Sequence, residues 1–243
     1  MASRRQVIAD DLREQISTGR IKAGERLPSE AKLATRYTVS TPTLRSALAV
    51  LQGEGLVEKI HGRGNFVRYP LRRITYVGGG RTSDMATATP APLRINVRAT
   101  QLQARGNLAS LLRVPASSPL TEFLCLSHDG NSPHSLAHIY VPRDLAPVDG
   151  YDESLWHEGV NSRLAQLRPP LAEVQEQVTA RFPTPSEAAT LRISSALPVL
   201  AITRLAADTT GRVVEAALLV LPGDRADALF TNHTTTEEKG TEG

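Results

Sequence analysis

Between residues 5 and 18 the apolar side chains Ile8, Leu12 and Ile16 recur at every fourth position, one stripe of a helix that ends at Thr18-Gly19. After the turn Lys22-Ala23-Gly24 a short second helix is expected. Ser29 stands where a capping hydroxyl is needed, Leu33, Ala34 and Tyr37 point inward, and the helix stops near Tyr37. Ser40-Thr41-Pro42 then supplies capping hydroxyls and a first-turn proline to a third helix, in which Leu44, Ala47, Leu48 and Leu51 share a face. Gly53 and Gly55 close that helix. Leu56 to His61 follows as a strand, Gly62-Arg63-Gly64 as a tight turn, and Asn65 to Tyr69 as the returning strand. Three helices followed by a hairpin make a winged helix-turn-helix, assigned to residues 1–73.

From Pro70 to Pro92 no periodicity is sustained, and Gly78-Gly79-Gly80 with Thr87 to Pro92 predicts a linker over residues 74–92. Beyond it Leu93, Ile95, Val97 and Ala99 alternate with Arg94, Asn96 and Arg98, the period of a half-buried strand. Further strands are expected at Leu120 to Ser127, Pro133 to Val141, Ala172 to Thr179, Val199 to Ala207 and Val213 to Leu221, mostly pairing antiparallel. Short helices fit Asn107 to Leu112, Asn161 to Leu167 and Pro185 to Leu191. The second domain, residues 93–230, is therefore α+β rather than a doubly wound sheet. A Thr-, Glu- and Gly-rich tail, residues 231–243, is expected to be disordered.

Charge sharpens this division. Residues 1–73 hold 14 Lys and Arg against 7 Asp and Glu, a net +7, whereas the remainder holds 14 against 18, a net −4. A basic head on a mildly acidic body suits a nucleic-acid partner. No apolar run approaches the roughly 18 residues of a membrane helix, and Met1-Ala2-Ser3-Arg4-Arg5 lacks the apolar stretch of a secretory signal. The expected location is the cytoplasm, with no membrane partner. The single cysteine, Cys125, has no internal partner and reads as a small core residue.

A helix fits the major groove and meets base edges with its first residues, so the third helix is the expected reader. Ser40, Thr41 and Thr43 offer hydroxyls to phosphates or bases, Arg45 can reach a phosphate or the O6/N7 pair of guanine, and Arg36 lies on the adjacent turn. In the wing, Gly62 and Gly64 permit close approach to the DNA backbone, while His61 and Arg63 can enter the minor groove. One recognition helix reads too few base pairs to find a genomic address, which predicts a homodimer on a two-fold operator.

The segments Gly24-Glu25-Arg26-Leu27-Pro28-Ser29-Glu30, Val39-Ser40, Thr43-Leu44-Arg45, Glu54-Gly55-Leu56-Val57 and His61-Gly62-Arg63-Gly64 closely resemble the head of the GntR family of transcription regulators. The body resembles the UTRA effector domain of the HutC/FarR subfamily through Asp129-Gly130, Tyr140-Val141-Pro142, Phe182-Pro183-Thr184-Pro185-Ser186-Glu187-Ala188, Leu197-Pro198-Val199-Leu200 and Asp224-Arg225. That resemblance implies a six-stranded antiparallel sheet with flanking helices, similar to chorismate lyase, which binds a small effector and supplies the dimer contact. It also implies repression, with the effector releasing the protein from its operator.

Two departures alter the expectation. Family members usually carry arginine directly after Ser29-Glu30 and after Val39-Ser40, where this chain has Ala31 and Thr41. In the body, the resemblance aligns the charged anchors of sugar-phosphate-binding members with Leu124, Cys125, Leu126 and Ala137. An apolar wall of Leu124, Leu126 and Ala137 disfavours a sugar phosphate and favours an apolar effector, oriented by His138, Tyr140 and Arg204. Completion of the core is the plainer role for the two leucines.

An enzyme is not expected, because there is no nucleophile motif, phosphate loop or acid–base pair, and fold alone carries no activity. His134 and His138 would lie about 13 Å apart along one strand, too far to share an ion, so neither metal nor cofactor is expected. The alternative to a sensor is a ligand-blind dimeric repressor whose body is structural.

Overall fold

The computed structural model describes residues 3–69, 73–78, 93–130, 132–146 and 169–231. The expected helix at Asn161 to Leu167 and the tail from residue 232 lie outside the described residues.

In the head, α1 (Arg4–Ser17), α2 (Glu30–Arg36) and α3 (Thr41–Gly53) begin at Ser3, Ser29 and Ser40, whose hydroxyls accept the N–H of Gln6, Lys32 and Thr43. Each hydroxyl satisfies one of the amides that a helix leaves unpaired at its start. The stripe of α1 is wider than its four-residue spacing suggests: Ala9 is buried with Ile8 and Leu12, while Ile16 is half-buried. These residues pack on Leu33, Leu44, Leu48 and Leu51, and the wing closes the core with Val57 and Val67. The wing is β1 (Val57–Ile60) paired antiparallel with β2 (Gly64–Val67). Its turn places Gly62 at φ +72°, a conformation that disfavours any residue with a Cβ.

The stretch assigned to the linker begins with ordered structure. β3 (Ile74–Gly78) pairs in parallel with β10 (Ala226–Phe230). Ile74, Tyr76 and Gly78 turn inward on alternate positions, a period too short to stand out between two unpatterned flanks.

The body contains β4 (Arg94–Gln103), α4 (Gly106–Leu112), β5 (Pro119–Asp129), β6 (Ser132–Pro142), β7 (Leu171–Arg181), α5 (Pro185–Leu191), β8 (Val199–Asp208) and β9 (Val213–Pro222). Six strands form one antiparallel sheet in the order β4-β5-β6-β9-β8-β7. The central strands β6 and β9 are buried on both faces, which accounts for the nearly continuous apolar sequence of β9.

Directly opposed residues share a face, so the register sorts every side chain. One face carries the helices: α4 packs near Leu120 and Ala216, and α5 packs through Leu191 onto Leu136, Val199 and Val220. The other face holds Phe123, Cys125, Ala137, Ile139, Ile202, Ala217 and Leu219 beneath Ile74 and Tyr76 of β3. Helix α5 is fixed at its start by a capping box between Thr184 and Glu187, and Arg181 holds the same Glu187 by two bonds of 2.7 and 2.8 Å.

Candidate nucleic-acid interface

The start of α3 is presented outward. Arg45 and Ser46 are exposed and Thr41 and Thr43 are half-exposed, whereas Leu44, Ala47 and Leu48 anchor the opposite side in the core. Ser40 and Thr43 are partly occupied with one another, their hydroxyl oxygens 2.9 Å apart at the helix cap. Arg45 is not loose: its Nε donates to Glu30 Oε2 at 2.6 Å, and Lys59 approaches the same carboxylate at 3.7 Å. This pair holds the Glu30 carboxyl below its ordinary range. Glu30 thus ties the recognition helix to α2 and the wing, a contact invisible in local sequence because 15 residues separate it from Arg45.

Arg36 stands at the end of α2 with its guanidinium 5.8 Å from the Tyr37 ring centroid. At the wing tip His61, Gly62 and Arg63 are exposed, and the Arg63 guanidinium lies 5.6 Å from the Phe66 ring centroid. Gly64 opens β2 at φ +112°, and a Cβ there would come within 3.2 Å of the Arg26 Nε. Ala31 and Thr41 line one concave groove together with Ser40, Thr43 and Arg4. Sequence reasoning missed Arg4, the first residue of α1, because nothing local links it to the recognition helix; it is the cationic residue among the groove's described lining residues.

The six body residues expected to line one pocket do not form one wall. Leu124 and His138 are opposed, as are Leu126 and Leu136, and Tyr140 opposes Glu122, so Leu124, Leu126, His138 and Tyr140 share the helix-bearing face. Ala137 opposes Cys125 and Arg204 opposes Ala217, which places both on the other face. The expected apolar wall is corrected accordingly: Ala137 sits one position off the leucine pair, and a shift of one residue changes face. Leu124 and Leu126 themselves pack against the cluster beneath α5.

On the helix-bearing face His138 Nδ1 lies 2.8 Å from Glu122 Oε1, and Tyr140 stacks on His138 with ring centroids 6.3 Å apart. Burial, then the neighbouring Glu122, pushes the Tyr140 phenol above its ordinary range, so it stays protonated. On the opposite face Arg204 is fully buried, donating from Nη1 to Glu215 at 2.7 Å and lying 3.7 Å from Glu176, which accepts the Tyr76 hydroxyl at 2.6 Å. Burial pushes the Cys125 thiol up to about 12, leaving it protonated and unreactive.

Head and body meet at a second polar cluster. Arg68, just after the wing, donates from Nη1 to Asp224 Oδ2 at 2.6 Å, and Arg225 Nε lies 3.7 Å from the other oxygen of Asp224. Gly55 has φ +73°, and a Cβ there would collide with the Asp224 carboxylate. Burial holds the Arg225 guanidinium down to about 10.

Residues 4–67 match the family profile of bacterial regulatory proteins of the gntR family, and residues 94–227 match the UTRA domain. Over 220 residues, 90% of each chain, the protein is 26% identical to the HTH-type transcriptional repressor NagR of Bacillus subtilis. It is 28% identical to the histidine utilization repressor of Klebsiella aerogenes over 87% of each chain. Among solved structures it resembles PhnF of Mycobacterium smegmatis in fold, with a TM-score of 0.59 at 20% identity over 94% of this chain and 100% of that one.

Proposed function

The chain belongs to the gntR family of bacterial regulators and carries a UTRA domain, and on that premise we propose that it is a transcription repressor that grips a two-fold operator as a homodimer. The observation that carries this is the exposed first turn of α3, with Arg45 held out by Glu30 beside a basic wing tip. Ser40, Thr41, Thr43 and Arg45 contact the major groove, His61 and Arg63 follow the minor groove, Gly62 and Gly64 let the wing backbone approach, and Arg36 reaches a phosphate. Arg4 joins them in the groove beside Thr41.

For the homodimer, support comes from β7, an edge strand of 11 residues whose residues are mostly exposed, with Val178 37% exposed and Phe182, just beyond its end, 67% exposed. Long exposed edges with apolar side chains are ordinarily covered by a partner. The effector is a small, largely apolar molecule, in keeping with the absence of the charged anchors that sugar-phosphate-binding relatives carry. It lies on the helix-bearing face of the sheet against Leu124, with His138 and Tyr140 as its polar contacts.

Footprinting the full chain on the DNA flanking its own coding region is expected to protect two half-sites about one helical turn, roughly 34 Å, apart. Protection of a single half-site would refute the dimer. On that site Arg45→Ala is expected to cost about 1–3 kcal/mol, and an unchanged gel-shift titration would remove Arg45 from the readout. A thermal-shift screen of apolar metabolites tests the effector: a concentration-dependent rise in melting temperature supports a sensor, whereas tight binding of a sugar phosphate refutes the apolar assignment.

A further inference from the structure

A cleft of about 800 Å³ separates the wing from the body, within the size range of small-molecule sites. Lys59, His61, Arg63 and Arg68 line it from the head and Arg192 from the body, while Glu58 is the one carboxylate among its described lining residues. Ile60, Pro133, Ala188 and Ile193 give it an apolar section of wall, beside which Gln52, Ser132, Ser194 and Ser195 are neutral and polar. Two of the cations are already engaged, Arg68 with Asp224 and Lys59 with Glu30. Arg63 lies over the Phe66 ring, and neither it nor Arg192, at the left-handed cap that ends α5, has a carboxylate partner among the described residues. Positive potential on this side has a second sign in His128, held below the ordinary imidazole range by burial and by Arg94 and Arg192.

We propose that this cleft is a second ligand site, separate from the sheet face, and that it takes a small amphiphilic anion, an apolar ring or short chain bearing a phosphate or carboxylate. The cations meet the charged head and the apolar wall covers the body of the ligand, a division that neither inorganic phosphate nor a neutral hydrocarbon satisfies. Because His61 and Arg63 belong both to this site and to the wing tip, the bound anion competes with DNA for the same side chains. It also holds the wing against the body, since Arg192 and Arg63 approach the cleft from opposite domains. Its binding is measured without DNA, so its failure is distinct from failure of the operator assignment.

The test is calorimetric titration of the full chain at low salt with 1-naphthyl phosphate, 1-naphthoate, 1-naphthol and inorganic phosphate. The two anionic naphthyl compounds are expected to bind at least about tenfold more tightly than naphthol or phosphate, and Arg192→Ala to weaken them about tenfold. Ala189 is exposed on the cleft wall, so Ala189→Trp fills the space without disturbing the core and is expected to abolish binding while leaving the melting temperature unchanged. Glu58→Gln removes the opposing charge and should tighten it. Inorganic phosphate binding as well as naphthyl phosphate, no heat up to about 1 mM ligand, or wild-type affinity in Ala189→Trp would each overturn the site. With a labelled duplex of arbitrary sequence, naphthyl phosphate should weaken DNA binding by the wild type and not by Ala189→Trp. Independent binding of the two ligands by the wild type would overturn the shared use of His61 and Arg63.

Discussion

Removing the carboxylate of Asp224 tests how the head is coupled to the body. Asp224 accepts a charge-assisted bond of 2.6 Å from Arg68 and lies 3.7 Å from Arg225. The side chains of Arg68 and Arg225 are only 8% and 2% exposed. The bond itself contributes about 1.5–3 kcal/mol. Asp224→Ala also takes from two buried guanidinium groups the carboxylate nearest to both, leaving Arg225 only the more remote Asp129 and Glu58, so the expected total cost is about 3–5 kcal/mol. Calorimetric melting of the full chain is the direct assay. For a head of this size 1 kcal/mol moves the midpoint by roughly 4–8 °C, so the head transition should fall by more than about 10 °C and separate from that of the body. Arg68→Ala removes one of the stranded cations, and the double variant should therefore lose less than the sum of the two single changes. A single transition within about 2 °C of wild type in Asp224→Ala, or strictly additive losses, would refute the coupling.

Breaking the buried network of the body should be comparably severe: Arg204→Met leaves Glu215 and Glu176 without their shared cation and is expected to cost about 3–5 kcal/mol, read as a fall in the denaturant midpoint. Thr184→Ala removes the hydroxyl half of the α5 capping box and should cost about 0.5–2 kcal/mol in the same measurement. Arg45 is exposed and Glu30 half-buried, and their pair should stabilise the fold by under about 1 kcal/mol. Because Glu30 titrates below its unfolded value, that contribution is complete above the ordinary glutamate range and is lost as pH falls through the lowered folded value. Wild type and Glu30→Gln should therefore converge in stability in acid, and a gap that widens on acidification would contradict the pair.

The helices of the head were legible because their causes are local: Ser29 and Ser40 cap within three residues, and the Ile8-Leu12 stripe and the Leu44-Ala47-Leu48-Leu51 face repeat within a few turns. Most body strands were legible for the same reason, since alternation, or a continuous apolar run between turns, is a property of neighbouring residues. The basic head, the absence of the family arginines at Ala31 and Thr41, and the resemblance to a known class of regulator also needed no coordinates. What the chain could not reveal by itself lies between distant segments. Pairing β3 with β10 across some 150 residues turned the first five residues of an apparent linker into the cover of the sheet. The register of β5 on β6 set Ala137 opposite Cys125, dividing the expected effector wall between two faces, because a single-residue offset reverses a side chain and no local pattern encodes that offset. Arg45 met Glu30, and Arg68 met Asp224, only when the folded core brought their elements together. Burial then made the second of these pairs consequential, since a charge withdrawn from water depends on the partner that tertiary structure supplies.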